Sequence, residues 1–124
     1  RLKEFKPMLE LAKECMGKDS ADAKASCYGE GLKNNDNSYV REKAAWELSR
    51  LPQEAAAPVL NEHLSTDHLG TREILEQALY TKGNQKTIDA IGTLLEEEAD
   101  ETADRYEMDR FRLRLLRAYL RNNV

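Results

Sequence analysis

The sequence predicts an all-α protein, an α-solenoid of antiparallel helix pairs with seven helices in about three and a half units, and three observations carry that expectation. The first is an internal repeat. Asp36, Arg41, Ala44, Leu48, Leu60 and Leu64 recur 31 residues later as Asp67, Arg72, Leu75, Leu79, Ile91 and Leu95. Self-similarity at this period marks stacked supersecondary units, none able to bury its apolar face alone. The second is a looser copy displaced by 40 residues, in which Glu107, Arg112, Leu115, Ala118 and Tyr119 answer Asp67, Arg72, Leu75, Ala78 and Leu79. The third is that apolar residues recur at helical spacing throughout, while no segment alternates with the period of a strand.

The elements follow in order. Leu2, Phe5, Leu9, Ala12 and Met16 predict a helix over 2–16, with Pro7 tolerable only in its first turn and Gly17 closing it. Asp19, Ser20 or Asp22 caps a second helix reaching about Leu32, and the cluster Asn34, Asn35, Asp36, Asn37 is a loop. Ser38 caps a helix over 39–51, which Pro52 stops. A short helix over 54–64 buries Ala56, Val59, Leu60 and Leu64. After a turn at 67–70, residues 71–82 are helical, Gly83 and Asn84 end that run, and 85–97 is helical again.

The last helix spans about 105–121. Met108, Phe111, Leu115 and Tyr119 line its apolar face, opposite a stripe of Arg110, Arg114, Arg117 and Arg121. Arg112 falls within the apolar face. That placement makes sense if Arg112 is the third member of a series with Arg41 and Arg72, each preceded five residues earlier by an acid (Asp36, Asp67, Glu107).

Composition fits one helical domain over residues 1–124, since hydrophobic residues make up 40%, charged residues 34% and aromatics only 6%. The net charge of −4 counts against nonspecific nucleic-acid binding, which needs excess Lys and Arg to displace counterions. No apolar run approaches the roughly 18 residues that cross a bilayer, so no membrane insertion is expected. Glu96, Glu97, Glu98, Asp100, Glu101 and Asp104 form a solvated acidic connection ahead of the arginine-rich last helix. The chain starts at Arg1 without a signal-like stretch, and is read as a mature fragment or an excised piece of a longer protein.

Catalytic chemistry is not legible. His63 and His68 are the only histidines, with no Cys or carboxylate beside them in a metal-ligand spacing, and there is no phosphate loop or nucleophile motif. No enzyme activity, metal or cofactor is expected. Cys15 and Cys27 have the wrong spacing for a zinc or redox motif. Two buried thiols are one reading, and a disulfide fastening the first turn is the preferred one. A bridge places the protein in the periplasm or outside the cell, and free thiols place it in the cytoplasm. Trp46 has polar equivalents, Gln77 and Arg117, so its position should face outward as an interface anchor. The competing and preferred expectation is that it packs against the first helix pair.

The run Asn37, Ser38, Tyr39, Val40, Arg41, Glu42, Lys43, Ala44, Ala45, with Leu48 and Leu51, then Ala56, Ala57, Pro58, Val59, Leu60 and Leu64, resembles HEAT repeats. The likeness is to the short bacterial HEAT-like form found in phycobilisome lyase relatives. In that family a loop Asp and a helix Arg build a hydrogen-bonded ladder between units. The resemblance assigns that role to Asp36, Asp67, Arg41 and Arg72, and by extension to Glu107 and Arg112. A planar guanidinium suits it, because it can bridge carboxylate and carbonyl oxygens at once. The expected function is a non-catalytic protein–protein interaction scaffold, its ligand a basic or mixed protein segment. The contact would lie along the second helices, at Glu62, Asp89 and Thr93. The alternative implied by the resemblance is an accessory or lyase-like subunit.

Overall fold

The computed structural model describes residues 2–34, 36–66, 68–97 and 107–124. Among these the chain is all-helical: α1 (Leu2–Met16), α2 (Ala21–Gly31), α3 (Ser38–Leu48), α4 (Gln53–His63), α5 (Leu69–Lys82), α6 (Gln85–Glu97) and α7 (Glu107–Asn123). Asp67 and the acids Glu98, Asp100, Glu101 and Asp104 lie outside the described residues.

Side-chain caps set where the helices begin. Ser20 Oγ accepts from the Ala23 N–H at 3.1 Å, which starts α2. At α3 the cap is Asn37 and not Ser38. Its Oδ1 accepts from Tyr39 and Val40 at 3.0 and 3.3 Å, while its Nδ2 donates to Glu4 O of α1 at 3.0 Å. One amide thus caps a helix and ties it to its neighbour, which a serine hydroxyl in its place is too short to do. α5 starts two residues earlier than expected, because His68 Nδ1 accepts from the Thr71 N–H at 3.1 Å. Before α6, Asn84 Oδ1 accepts from the Thr87 N–H and Thr87 Oγ1 accepts from the Asn84 N–H, a reciprocal box. Thr87 Oγ1 also donates to Asn61 Oδ1 at 2.6 Å, fastening α6 to α4.

Prolines are tolerated beyond the first turn. Pro7 lies inside α1 and Pro58 inside α4. Each removes one donor from the carbonyl four residues earlier, and those carbonyls belong to the exposed Lys3 and Glu54, where water can replace the lost bond.

The odd-numbered helices touch in the series α1, α3, α5, α7, and the even-numbered in the series α2, α4, α6. Contacts of α1 with α2, α2 with α3, α4 with α5, and α6 with α7 join the two series. One buried cluster draws on every helix, through Cys15, Tyr28, Leu48, Leu60, Leu79, Ile91 and Leu116 among others. Close approach is made where a side chain is missing. A Cβ on Gly31 would sit 2.6 Å from Leu11 Cδ2 and 3.0 Å from Ala44 Cβ, so a side chain there would require Leu11 and α3 to shift. A Cβ on Gly83 would meet Leu120 Cδ1 at 2.8 Å, so that glycine makes room for α7.

Cys15 and Cys27 are bonded, their Cα atoms 5.4 Å apart, linking the end of α1 to the second turn of α2. The bond also sets how α1 is rotated. Ala12 and Cys15 are buried and Phe5 packs on Tyr39 with ring centres 4.6 Å apart. Leu9 and Met16, expected in the core stripe, are instead 61% and 63% exposed. α1 carries two apolar stripes, and the disulfide selects the one that contains Cys15.

Cys15 and Cys27 should therefore resist alkylation until the protein is reduced. Replacing both by Ser should lower the unfolding free energy by about 2–3 kcal/mol, given the short loop they close. Denaturant titration measures it, and equal stability of the two forms would contradict the anchoring role.

Candidate functional site

A buried ionic network anchors α7 to α5. Arg72, 2% exposed, donates from Nη1 to Asp109 Oδ2 at 2.8 Å and from Nε to Leu64 O at 3.3 Å. Arg112 donates from Nε to Glu76 Oε1 at 2.9 Å and from Nη2 to Asp109 Oδ1 at 3.5 Å. Asp109 and Glu76 are both buried. Removing one partner of such a pair strands a charge in the interior, at a cost of about 3–5 kcal/mol. Burial pushes the Glu76 carboxyl up to about 8, a hydrogen bond to Asp109 adds to the rise, and Arg112 opposes it. Burial and the neighbouring Asp109 thus favour the neutral form of Glu76 near pH 7. The Glu76 Oε2 is buried without a hydrogen-bond partner among the described residues.

This anchor turns α7 the other way from expectation. Asp109, Leu113, Leu116 and Leu120 are its buried residues. Met108, Phe111, Leu115 and Tyr119, the expected core face, are 65, 48, 48 and 45% exposed. The core positions Arg72, Leu75 and Leu79 of α5 thus correspond to Leu113, Leu116 and Leu120, one residue beyond the alignment that matched them to Arg112, Leu115 and Tyr119. A slip of one residue rotates a helix by about 100°, enough to exchange its faces. The outcome is a continuous stripe of four large apolar side chains on the outside of the last helix. Tyr80 of α5 extends it, its ring centre 5.2 Å from that of Tyr119. Arg114 and Arg121 are exposed along the flank of the stripe, with Arg110 and Arg117 half-buried beside them.

The expected ladder residues meet different fates. Arg41 and Arg72 are buried, as a ladder requires. Arg41 donates from Nη1 to Asn34 O at 2.9 Å, while Asp36 is exposed and, among the described residues, forms no ion pair with it. Asp67 is outside the described residues. Glu107 is exposed at the start of α7, and the acid that meets Arg72 is Asp109, two residues on. Arg112 is half-buried and joins the network through Glu76 and Asp109.

The proposed contact residues on the second helices are at the surface but are not gathered into a cleft. Glu62 is exposed on α4; Asp89 and Thr93 are exposed on α6, where Asp89 accepts from Gln85 Nε2 at 3.3 Å and Thr93 Oγ1 donates to Asp89 O. Trp46 lies beside the first helix pair, sharing a surface groove with Met16, Lys24 and Tyr28, but is not buried there. It is 52% exposed, with Arg50 4.4 Å and Lys43 5.1 Å from its ring centre. Lys43 of α3 and Arg50 of the turn after it supply the cations, so local stacking replaces burial. Trp46 also walls a groove of about 650 Å³ between α3 and α5. His63 Nδ1 lies 2.9 Å from Val59 O, and His68 caps α5. Among the described residues no group of three or more His, Cys, Asp or Glu is placed to hold a metal ion, and no helix is long and apolar enough to cross a membrane.

Asp109 and Glu76 escaped the sequence reading, although a signal for one was present. Glu76 stands where the preceding unit has Ala45, a core position, and a carboxylate in a core position implies a buried partner. Comparison with protein families, curated proteins and solved structures finds no match to this chain.

The raised Glu76 pKa fixes the sign of a pH dependence. A carboxyl whose folded pKa lies above its unfolded value contributes stability that is full below about 4.5 and lost as pH rises through about 8. Unfolding free energy should fall by on the order of 2 kcal/mol between pH 6 and 9. Glu76→Gln, which mimics the protonated form, should flatten that fall in denaturant titrations. An unchanged slope in the variant would contradict the raised pKa of Glu76.

Proposed function

We propose that this chain is a non-catalytic, HEAT-like helical-repeat module that binds an amphipathic protein segment along the outer face of α7. The solenoid reading is supported by the two contact series of odd and even helices, and by the coincidence of buried positions one repeat apart: Leu48 with Leu79, Leu60 with Ile91, Leu64 with Leu95. The binding reading rests on one observation, the exposed stripe Met108, Phe111, Leu115 and Tyr119. Fully burying such a side chain is worth about 1.5–3 kcal/mol, and a contiguous stripe of them marks a docking surface more than scattered exposure does. The arginines flanking the stripe select a partner whose apolar face is bordered by acids. A helical partner would present its anchors at the same three- and four-residue spacing. The Cys15–Cys27 bond supports residence in an oxidising compartment.

The α7 face replaces the second helices as the favoured contact. Cross-linked capture compared across variants distinguishes the two surfaces. Phe111→Ser with Leu115→Ser should weaken capture roughly tenfold or more with little change in melting. Glu62→Lys with Asp89→Lys should leave it intact. Loss in the charge-reversed variant alone would return the contact to α4 and α6.

A further inference from the structure

The α3–α5 groove is walled by a buried guanidinium that forms no ion pair among the described residues. Arg41 is 7% exposed, yet among the described residues its guanidinium has a single acceptor, the Asn34 carbonyl, and its buried Nε has none. A guanidinium held this far from water and unpaired with any carboxylate among the described residues is costly, and an anion beside it would remove that cost. The side chain reaches from α3 to the first turn of α5: the position a Cβ would take on Gly70 is 3.5 Å from Arg41 Nη2. Gly70 is the second residue of a 14-residue helix, so its N–H is one of the first-turn donors that find no acceptor within the helix. His68 serves Thr71, the next residue. A helix N-terminus and a buried guanidinium therefore converge at one end of the groove, and both favour negative charge.

The remainder of the groove decides which anion. Ala45, Ile74 and Ala78 offer an apolar surface, while Glu42 and Glu73 stand on the exposed rim and repel a doubly charged group. We infer that the α3–α5 groove binds a singly charged carboxylate carried on an apolar body, with Arg41 and the first turn of α5 holding the carboxylate. The site is separate from the α7 stripe and does not depend on it.

Trp46, the only tryptophan, walls the same groove, so its emission reports occupancy directly. The full chain is titrated at pH 7 and constant ionic strength with hexanoate, with uncharged hexanamide, and with inorganic phosphate. Hexanoate should give a saturable change, hexanamide none at the same concentrations, and phosphate should not displace hexanoate. Arg41→Gln should weaken hexanoate at least tenfold. Glu73→Gln lies on the exposed rim, keeps the test open if Arg41→Gln does not fold, and should tighten hexanoate a fewfold by removing a repulsive charge. Equal responses to the acid and the amide, displacement by equimolar phosphate, or unchanged affinity in Glu73→Gln would each overturn the assignment.

Discussion

The buried pair between Arg72 and Asp109 fixes the last helix, and much of the outer surface follows from it. Both side chains are almost wholly withdrawn from water, 2.8 Å apart, and Glu76 and Arg112 complete the network around them. Such a pair adds little net stability over an apolar equivalent, because desolvation offsets the attraction. Its effect is on geometry. α7 must present Asp109 to α5, and once it does, Leu113, Leu116 and Leu120 enter the core. The bulkier stripe of Met108, Phe111, Leu115 and Tyr119 is then left outside. Burial alone would favour the opposite choice, so the ionic contact decides which face is available to a partner.

The first helix follows the same logic with a covalent device. α1 also carries two apolar stripes, and the bond from Cys15 to Cys27 turns Ala12 and Cys15 inward while Leu9 and Met16 face water. The inner helices need no such device. Each is packed against neighbours in both contact series or across them. Among the described residues α1 packs on α2 and α3 and α7 on α5 and α6, and in each a specific covalent or polar contact selects the buried face.

That difference explains what was legible beforehand. From α3 to α6 the repeat reports each core position twice, and Leu48 with Leu79 or Leu60 with Ile91 is buried in both copies. At α7 the third copy is too loose to resolve a single residue, and the alignment that placed Arg112 in the ladder put Leu115 and Tyr119 in the core. Asp109 was invisible because an acid at the start of a helix ordinarily faces solvent and favours the helix dipole. Trp46 was misjudged for another reason: Lys43 and Arg50, one turn away on either side, give its ring a cationic environment at the surface. Glu62, Asp89 and Thr93 are exposed, but exposure alone does not assemble a site.

A double-mutant cycle on Arg72→Met and Asp109→Leu tests the anchoring role most directly, with unfolding free energies read from denaturant titration. Each single variant removes one charged partner of the other side chain in the interior and should be destabilised. The double variant, which replaces both by apolar groups of similar size, should recover much of the loss, giving a coupling of about 2 kcal/mol or more. Additive costs, with no coupling between the two positions, would contradict the claim that this pair sets the face of α7.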